Sequence, residues 1–237
     1  MSRQSELLQE SMRHMPEGVA ENYRYWGPDR TVFIQRAKGC ELFDVDGKTY
    51  VDFRLGYGPI ILGYGDERVD GAVIAQIQSG GTLTGFATEL DTIVVQQIKA
   101  LCPQIQKMRF ANSGTEATMY ALRTARAATG KLGVIKIEGG YHGSFDPLMV
   151  SAKPALDKAG DPNSPNSVPL PATVPGDVYV VPYNDADAIE RVLKKDADKI
   201  ACVFMEPVLE NIGIVLPDMG YLERVRELCD QYGVLLV

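Results

Sequence analysis

The sequence predicts an α/β protein built on a mostly parallel sheet, and three observations lead to this class. Short apolar runs alternate with segments of helical periodicity from about residue 107 onward. These runs are continuous rather than alternating, as in strands that are buried on both faces of a parallel sheet. Ahead of them, residues 31–53 alternate apolar and polar side chains around Asp46-Gly47, which predicts a small antiparallel unit with a tight turn.

The first part of the chain is predicted to be helical on either side of that unit. Helical patterns cover 2–14, 66–79 and 88–101. Between the antiparallel unit and the second of these helices lies a glycine-rich loop, "RLGYGPIILGYGDE". We therefore expect an N-terminal segment over 1–65 and a large α/β domain over 66–237.

Strands and helices then alternate through the large domain. The predicted strands are 107–112, 132–138, 177–183, 200–207 and 233–237, and the predicted helices are 115–129, 185–195 and 218–232. In the last helix Leu222, Val225, Cys229 and Tyr232 recur at steps of three and four, so they line one face. Right-handed crossovers place helices on both faces of such a sheet, and its ligands bind at the carboxyl ends of the strands.

Composition and charge exclude several other classes. The 237 residues are 45% hydrophobic and 23% charged, as in ordinary globular proteins. A net charge of −7 gives no general reason to bind nucleic acid or an anionic membrane. No stretch approaches the ~20 apolar residues of a membrane span, and the polar start is not a secretory signal. The four cysteines form no C-x-x-C pair, so we expect buried, reduced thiols, a cytoplasmic protein and no metal site.

Residues 153–176 form a segment rich in proline, asparagine and glycine. A loop of this length inside a compact domain is usually functional or disordered.

The stretch "NSGT", Asn112 to Thr115, lies between a predicted strand and a predicted helix. A helix start offers about four unpaired N–H groups and a partial positive charge. With two hydroxyls and a glycine beside them, these groups could cradle a phosphate. A plain helix cap explains the same residues equally well. Neither a Walker loop nor the G-x-G-x-x-G fingerprint is present.

Two later strand ends carry further polar and aromatic groups. "EGGYHGSF" places Tyr141 and His142 where a flat ring could stack, although both could also be structural loop residues. "VFMEPVLENIG" places Glu206 just past a strand, as a cap or as an acceptor over a ligand. Asn211 could donate to a ligand oxygen or simply make a turn. Three successive strand ends thus carry phosphate-binding, aromatic and carboxylate groups, which favours a ligand site.

Three motifs give the chain a resemblance to a known family. "FANSGTEA", "GGYHG" and "EPVLENIGIVLPDMGYLERVRELCDQYGVLLV", in this order and spacing, resemble the class III pyridoxal-phosphate aminotransferases. The similarity is greatest to the group that includes glutamate-1-semialdehyde 2,1-aminomutase, and it extends from about Gly18 to Val237. It implies a fold type I transferase, pyridoxal 5'-phosphate as cofactor and a homodimer that acts on a small amino acid or amine.

The resemblance also assigns roles to residues. The positions that match cofactor-binding residues of the family are Ser113, Gly114, Thr115, Tyr141, His142, Glu206 and Asn211. The first three match residues that hold the cofactor phosphate, and Tyr141 matches the aromatic stacked on its ring, with His142 beside it. Glu206 and Asn211 match polar groups near the ring and its 3′ oxygen, and Arg24 matches a substrate-binding arginine.

Two catalytic groups of the family have no match in this chain. The aspartate that pairs with the ring nitrogen and the Schiff-base lysine are both expected beyond Val237. We therefore predict that the chain is the N-terminal portion of a longer enzyme, that its large domain is incomplete at the C-terminus, and that it is inactive by itself.

The resemblance leaves the reaction open between an aminotransferase and an aminomutase. Asn211 and "PNSPNSVP" are similar to the mutases, whereas "ENYR" (21–24) and "FATE" (86–89) depart from them at substrate contacts. These departures favour an aminotransferase. Two other classes stay open, namely a non-catalytic interaction protein on a transaminase scaffold and an unrelated phosphate-binding module.

Overall fold

The computed structural model describes residues 2–81, 85–154, 156, 157, 159 and 177–237. The chain divides into two compact units, Met1–Val94 and Val95–Val237.

The first unit contains a helix and a small antiparallel sheet. Helix α1 spans Arg3–Ser11, and strands β1 (Ile34–Lys38), β2 (Glu41–Asp44) and β3 (Thr49–Val51) pair in the order β1-β2-β3. The β2–β3 turn is closed by the Gly47 amide, which donates to the Asp44 carbonyl at 3.1 Å, with Gly47 at a φ of 86°. The predicted N-terminal helix and antiparallel unit are confirmed.

One side chain ties α1 to this sheet. The Gln4 amide nitrogen donates to Asp44 Oδ2 at 2.9 Å, and the Gln4 oxygen accepts from the Phe33 amide at 2.6 Å. Gln4 therefore uses both ends of its side chain to hold the helix against the sheet.

Two longer helices follow. Helix α2 spans Glu67–Gly80 and is capped by Asp66, whose side chain accepts from the amides of the first turn. Helix α3 spans Glu89–Leu101, and the division between the two units falls within it. Neither helix contains a buried residue. The apolar side chains of α2 are exposed, whereas Val94, Val95 and Ile98 of α3 are half-buried.

The second unit is built on a parallel sheet. Strands β4 (Gly133–Ile137), β5 (Val178–Val181), β6 (Ile200–Phe204) and β7 (Leu235–Leu236) pair in the order β5-β4-β6-β7. All three pairings are parallel. The helices are α4 (Gly114–Thr129), the short α5 (Asp146–Met149), α6 (Ala186–Asp196) and α7 (Tyr221–Tyr232).

Helices cover both faces of this sheet. On one face, Ile189 of α6 and Val225 of α7 pack in a cluster with Ile135 of β4. On the other face, Leu122 of α4 packs in a cluster with Val134 of the same strand. Neighbouring residues of β4 thus point to opposite faces and are buried on both, which confirms the predicted α/β class.

One predicted strand is wrong. Residues 107–112 form neither strand nor helix. A strand requires a hydrogen-bonded neighbour, and in the described residues the sheet consists of β5, β4, β6 and β7. Within the described ranges, no other strand pairs with this apolar segment, which leads directly into α4.

The prediction of buried thiols is correct for two cysteines and wrong for two. Cys202 and Cys229 are buried, Cys102 is half-buried and Cys40 is exposed, and all four are free. Cys40 lies in the short connection between β1 and β2, where the apolar pattern around it does not imply a core position.

The predicted long loop over 153–176 lies mostly outside the described residues, including all of 160–176. Among the residues that are described, no helix is long and apolar enough to cross a membrane.

Candidate active site

The first turn of α4 presents unpaired donors. Ser113 is the N-cap, and its hydroxyl oxygen accepts from the Glu116 amide at 3.1 Å. Across the parts of the chain that the structure describes, no hydrogen bond engages the amides of Gly114 and Thr115. A Cβ built on Gly114 would meet no atom within 4 Å. The plain cap is therefore formed, and beside it lie two amides without a hydrogen bond among the described residues, next to the open Cβ position of Gly114.

A second loop lies against this turn. The Thr115 hydroxyl accepts from the Ser144 amide at 3.1 Å, and the Thr118 hydroxyl donates to the His142 carbonyl at 2.6 Å. The contact is so close that a Cβ on Gly143 would lie 2.6 Å from Thr115 Cα. The loop that follows β4 and the start of α4 thus form one continuous wall, and the proton of the Thr115 hydroxyl remains available to a ligand.

Tyr141 is held at this wall by a carboxylate from the next strand end. Glu206 Oε1 accepts from the Tyr141 amide at 3.0 Å, and Glu206 Oε2 accepts from the Glu210 amide at 2.8 Å. The Tyr141 hydroxyl lies 2.9 Å from the Ser144 hydroxyl, and 45% of the residue is exposed. Glu206 therefore links the loops after β4 and β6, and the Tyr141 ring is free to meet a ligand.

Asn211 acts as a clamp between loops. Its side-chain nitrogen donates to the Gly139 carbonyl at 2.8 Å and to the Ala152 carbonyl at 3.0 Å. These two bonds use both of its N–H groups, so only the amide oxygen is left for a ligand. Its predicted contact with the cofactor stays a prediction.

His142 lies behind the wall rather than on it. The residue is 6% exposed, its ring centroid is 4.9 Å from that of Phe204, and Nε2 has no hydrogen-bond partner among the residues described. Burial, and to a lesser degree the charge of Lys136, lowers the pKa of His142 to about 4. The imidazole is therefore neutral at pH 7.

This burial makes stability depend on pH. The folded-state pKa of about 4 lies below the ordinary 6.5, so the unfolded chain binds the proton first and stability falls as the pH drops below 6.5. Between pH 7 and pH 5, we expect His142 to account for a loss of about 2 kcal/mol in the free energy of unfolding.

Denaturant unfolding at the two pH values measures this loss. The His142→Gln variant should lack it, whereas a variant of the exposed His14, His14→Gln, should keep it. An equal pH dependence in wild type and His142→Gln would contradict the neutral, buried imidazole.

Lys136 was not singled out by the sequence, yet it lies beneath the same loop. It is completely buried in β4, and its ammonium donates to the carbonyls of Ile137 at 3.1 Å and Gly140 at 2.6 Å. The signal was present in the sequence as a single lysine inside the continuous apolar run 132–138, since a buried strand rarely contains an unpaired charge.

Arg24, the predicted substrate residue, belongs to the first unit. Its guanidinium lies 3.6 Å from Glu21 Oε2 and 3.4 Å from the Tyr23 hydroxyl. In the described ranges, no group of three histidine, cysteine or acidic residues could hold a metal ion.

The arrangement in the second unit fits a ligand with a phosphate and a flat ring. Free amides and the Thr115 hydroxyl at the start of a 16-residue helix can bind an anion. The exposed ring of Tyr141 lies on the neighbouring loop, and the Glu206 carboxylate holds that loop through the Tyr141 amide. The donor set therefore matches pyridoxal phosphate in chemistry, with hydroxyl and amide donors for the phosphate and an aromatic face for the ring.

Comparisons with known proteins give one family. A family model described as aminotransferase class-III matches residues 24–237. Glutamate-1-semialdehyde 2,1-aminomutase from Methanocaldococcus jannaschii is 38% identical over 100% of this chain and 54% of that protein. An omega-transaminase structure from Sphaerobacter thermophilus has a TM-score of 0.90 and 32% identity over 99% of this chain and 54% of its own.

A further solved structure, described as a transaminase with PLP bound, has a TM-score of 0.86 and 30% identity over 98% of this chain and 53% of its own. The chain spans about half the length of the curated relatives that it matches.

Proposed function

Because the chain belongs to the class-III aminotransferase family, we propose that its protein binds pyridoxal 5'-phosphate and transfers an amino group from an amino acid or amine to a keto compound. The observation that carries this proposal is the pair of amides at Gly114 and Thr115, which have no hydrogen bond among the described residues, at the start of α4, where the Cβ position of Gly114 is open. The fold similarity to a transaminase with PLP bound supports the same cofactor.

Each residue of the wall has a defined task in this proposal. The amides of Gly114 and Thr115, with the hydroxyls of Ser113 and Thr115, hold the phosphate at the positive end of α4. Tyr141 supports the ring, and Glu206 fixes the Tyr141 backbone through a bond to its amide. When bound, the cofactor makes the α-hydrogen of an amino substrate acidic and accepts its electron pair.

The proposal also assigns roles to His142 and to two catalytic groups of the family that have no match in this chain. The neutral imidazole of His142 adds no charge behind the ring, since burial keeps its pKa at about 4. The Schiff-base lysine and the aspartate that pairs with the ring nitrogen remain expected beyond Val237. The residues described here therefore bind and orient, and proton transfer is assigned to groups outside this chain.

An aminotransferase is the preferred reaction. Near the N-terminus, "ENYR" retains only the arginine, Arg24, of the substrate-binding motif of the mutases. The segment "FATE" also differs from the mutases. The similarity in fold to an omega-transaminase supports this reading. The second candidate is an aminomutase, which is favoured by the aminomutase relatives at 36–41% identity and by Asn211.

Product analysis of the full-length protein separates these candidates. An aminotransferase should form an amino product from a panel of amino acids and amines only when a keto acid is added as acceptor. An aminomutase should convert glutamate-1-semialdehyde without any acceptor. Tight cofactor binding with neither turnover would contradict both and would support the non-catalytic reading.

We also propose a homodimer and a cytoplasmic location. The segment 57–65 exposes Ile61 at 78%, Leu62 at 59% and Tyr57 at 58%, and an apolar patch of this kind is usually covered by a partner. A monomer mass for the full-length protein in light scattering would contradict the dimer. The four free cysteines are consistent with a reducing compartment.

A further inference from the structure

Lys136 is a buried charge at the centre of the sheet. It lies on β4 between Ile135 and Ile137, with β5 paired on one side and β6 on the other, and none of its surface is exposed. Burying an ammonium group is costly unless hydrogen bonds compensate it. A lysine at this position therefore calls for a physical reason beyond packing.

The hydrogen bonds of Lys136 all close one turn. Its ammonium donates to the carbonyls of Ile137 and Gly140, at 3.1 and 2.6 Å. The Gly140 amide also donates to the Ile137 carbonyl, at 3.2 Å, and Gly139 adopts a φ of 80°. The ammonium thus bridges Ile137 and Gly140, the two ends of what we call the Gly139-Gly140 turn, immediately before Tyr141.

The charges of two carboxylates act on this ammonium. Burial lowers the pKa of Lys136 to about 8, and the charges of Glu206 and Glu138 act against that decrease. Glu206 is the residue that accepts from the Tyr141 amide. Lys136 and Glu206 therefore hold the backbone on either side of the Gly140–Tyr141 peptide, one at a carbonyl and the other at an amide.

We propose that Lys136 is a positioning residue, whose buried ammonium fixes the Gly139-Gly140 turn so that the Tyr141 ring is held ready for the ring of the cofactor. The inference rests on the proposed function and deepens it, because it assigns the ring half of the site to a residue that does not touch the ligand. The phosphate half, at Ser113 to Thr115, lies on α4, and the loop contacts α4 after Tyr141, at His142 to Ser144.

The same strand provides a matched control. Lys131 precedes β4 at its opposite end and donates to a single carbonyl, that of Ala197, at 2.8 Å. Lys131→Met removes a lysine-to-carbonyl bond away from the turn, and Lys136→Met removes the bonds at the turn. A merely structural role for Lys136 would make both variants less stable without separating the two halves of the site.

The first measurement is hydrogen exchange of the Tyr141 amide in the cofactor-free, full-length protein. Loss of the turn bonds in Lys136→Met should speed this exchange about tenfold relative to wild type, and Lys131→Met should leave it unchanged. Equal exchange in wild type and Lys136→Met would overturn the inference. Should Lys136→Met fail to fold, Lys136→Gln keeps an uncharged N–H donor group and should show an intermediate increase.

The second measurement compares two ligands, pyridoxine 5'-phosphate and inorganic phosphate. In Lys136→Met the dissociation constant for pyridoxine 5'-phosphate should rise about tenfold, whereas that for inorganic phosphate should not change. Equal losses for both ligands, or no loss for either, would overturn the positioning role. Failure of the wild-type protein to bind pyridoxine 5'-phosphate at all would instead contradict the proposed function, so the two failures are distinguishable.

Discussion

Gly114→Asp should weaken cofactor binding at least about a hundredfold without weakening the fold. Gly114 is the first residue of α4, and a Cβ there meets no atom within 4 Å, so the new side chain fits. A carboxylate in the first turn of a helix is favourable to the helix itself. Against a bound phosphate, however, like charges about 4 Å apart repel by about 4 kcal/mol at an effective dielectric constant of about 20.

Gly114→Asn is the matched control, because it has nearly the same shape and no charge. We expect the dissociation constant of pyridoxal 5'-phosphate in the full-length protein to be at least about a hundredfold higher for Gly114→Asp than for Gly114→Asn. The two variants should unfold at similar denaturant concentrations. Equal cofactor affinities would show that no phosphate lies at the start of α4.

Gly143→Ala should be the most damaging single-methyl substitution at the site. Its Cβ would lie 2.6 Å from Thr115 Cα and 2.8 Å from the Thr115 hydroxyl oxygen, and the residue has a φ of 94°. Both the backbone strain and the contact with another backbone atom must be relieved by moving the loop away from α4. We expect a loss of about 3 kcal/mol in the free energy of unfolding, together with weaker binding of pyridoxal 5'-phosphate.

Gly130→Ala separates strain from contact. Gly130 follows α4 with a φ of 70°, and a Cβ there meets nothing within 4 Å. This variant should lose only about 1–2 kcal/mol and bind the cofactor normally. If Gly143→Ala proves no more destabilising than Gly130→Ala, the close approach of this loop to α4 is not maintained in solution.

Elements with strong periodicity were predictable from the sequence. The continuous apolar runs predicted β4, β5, β6 and β7. They are clearest for the central strands β4 and β6, because residues buried on both faces leave no polar alternation. The spacing of Val225 and Cys229 gave the buried face of α7. The 107–112 segment mixes apolar residues with Lys107, Arg109 and Asn112, and whether such a segment becomes a strand depends on an available neighbour, which local pattern does not encode.

Site residues at the ends of these elements were also predictable, although their contacts were not. Ser113 could be assigned equally well to a cap or a phosphate cradle, and the structure shows the cap beside free amides. Asn211 could be recognised as a polar turn residue, but its two carbonyl partners lie 72 and 59 residues away in the chain. Lys136 was missed because the sequence does not show which carbonyls its buried ammonium contacts.

The location of the cofactor phosphate is the central claim, and a crystal structure of the full-length protein with pyridoxal 5'-phosphate tests it most directly. We predict phosphate oxygens within hydrogen-bonding distance of the amides of Gly114 and Thr115, and the Tyr141 ring lying against the cofactor ring. A phosphate farther than ~3.5 Å from every atom of Ser113, Gly114 and Thr115 would contradict the account.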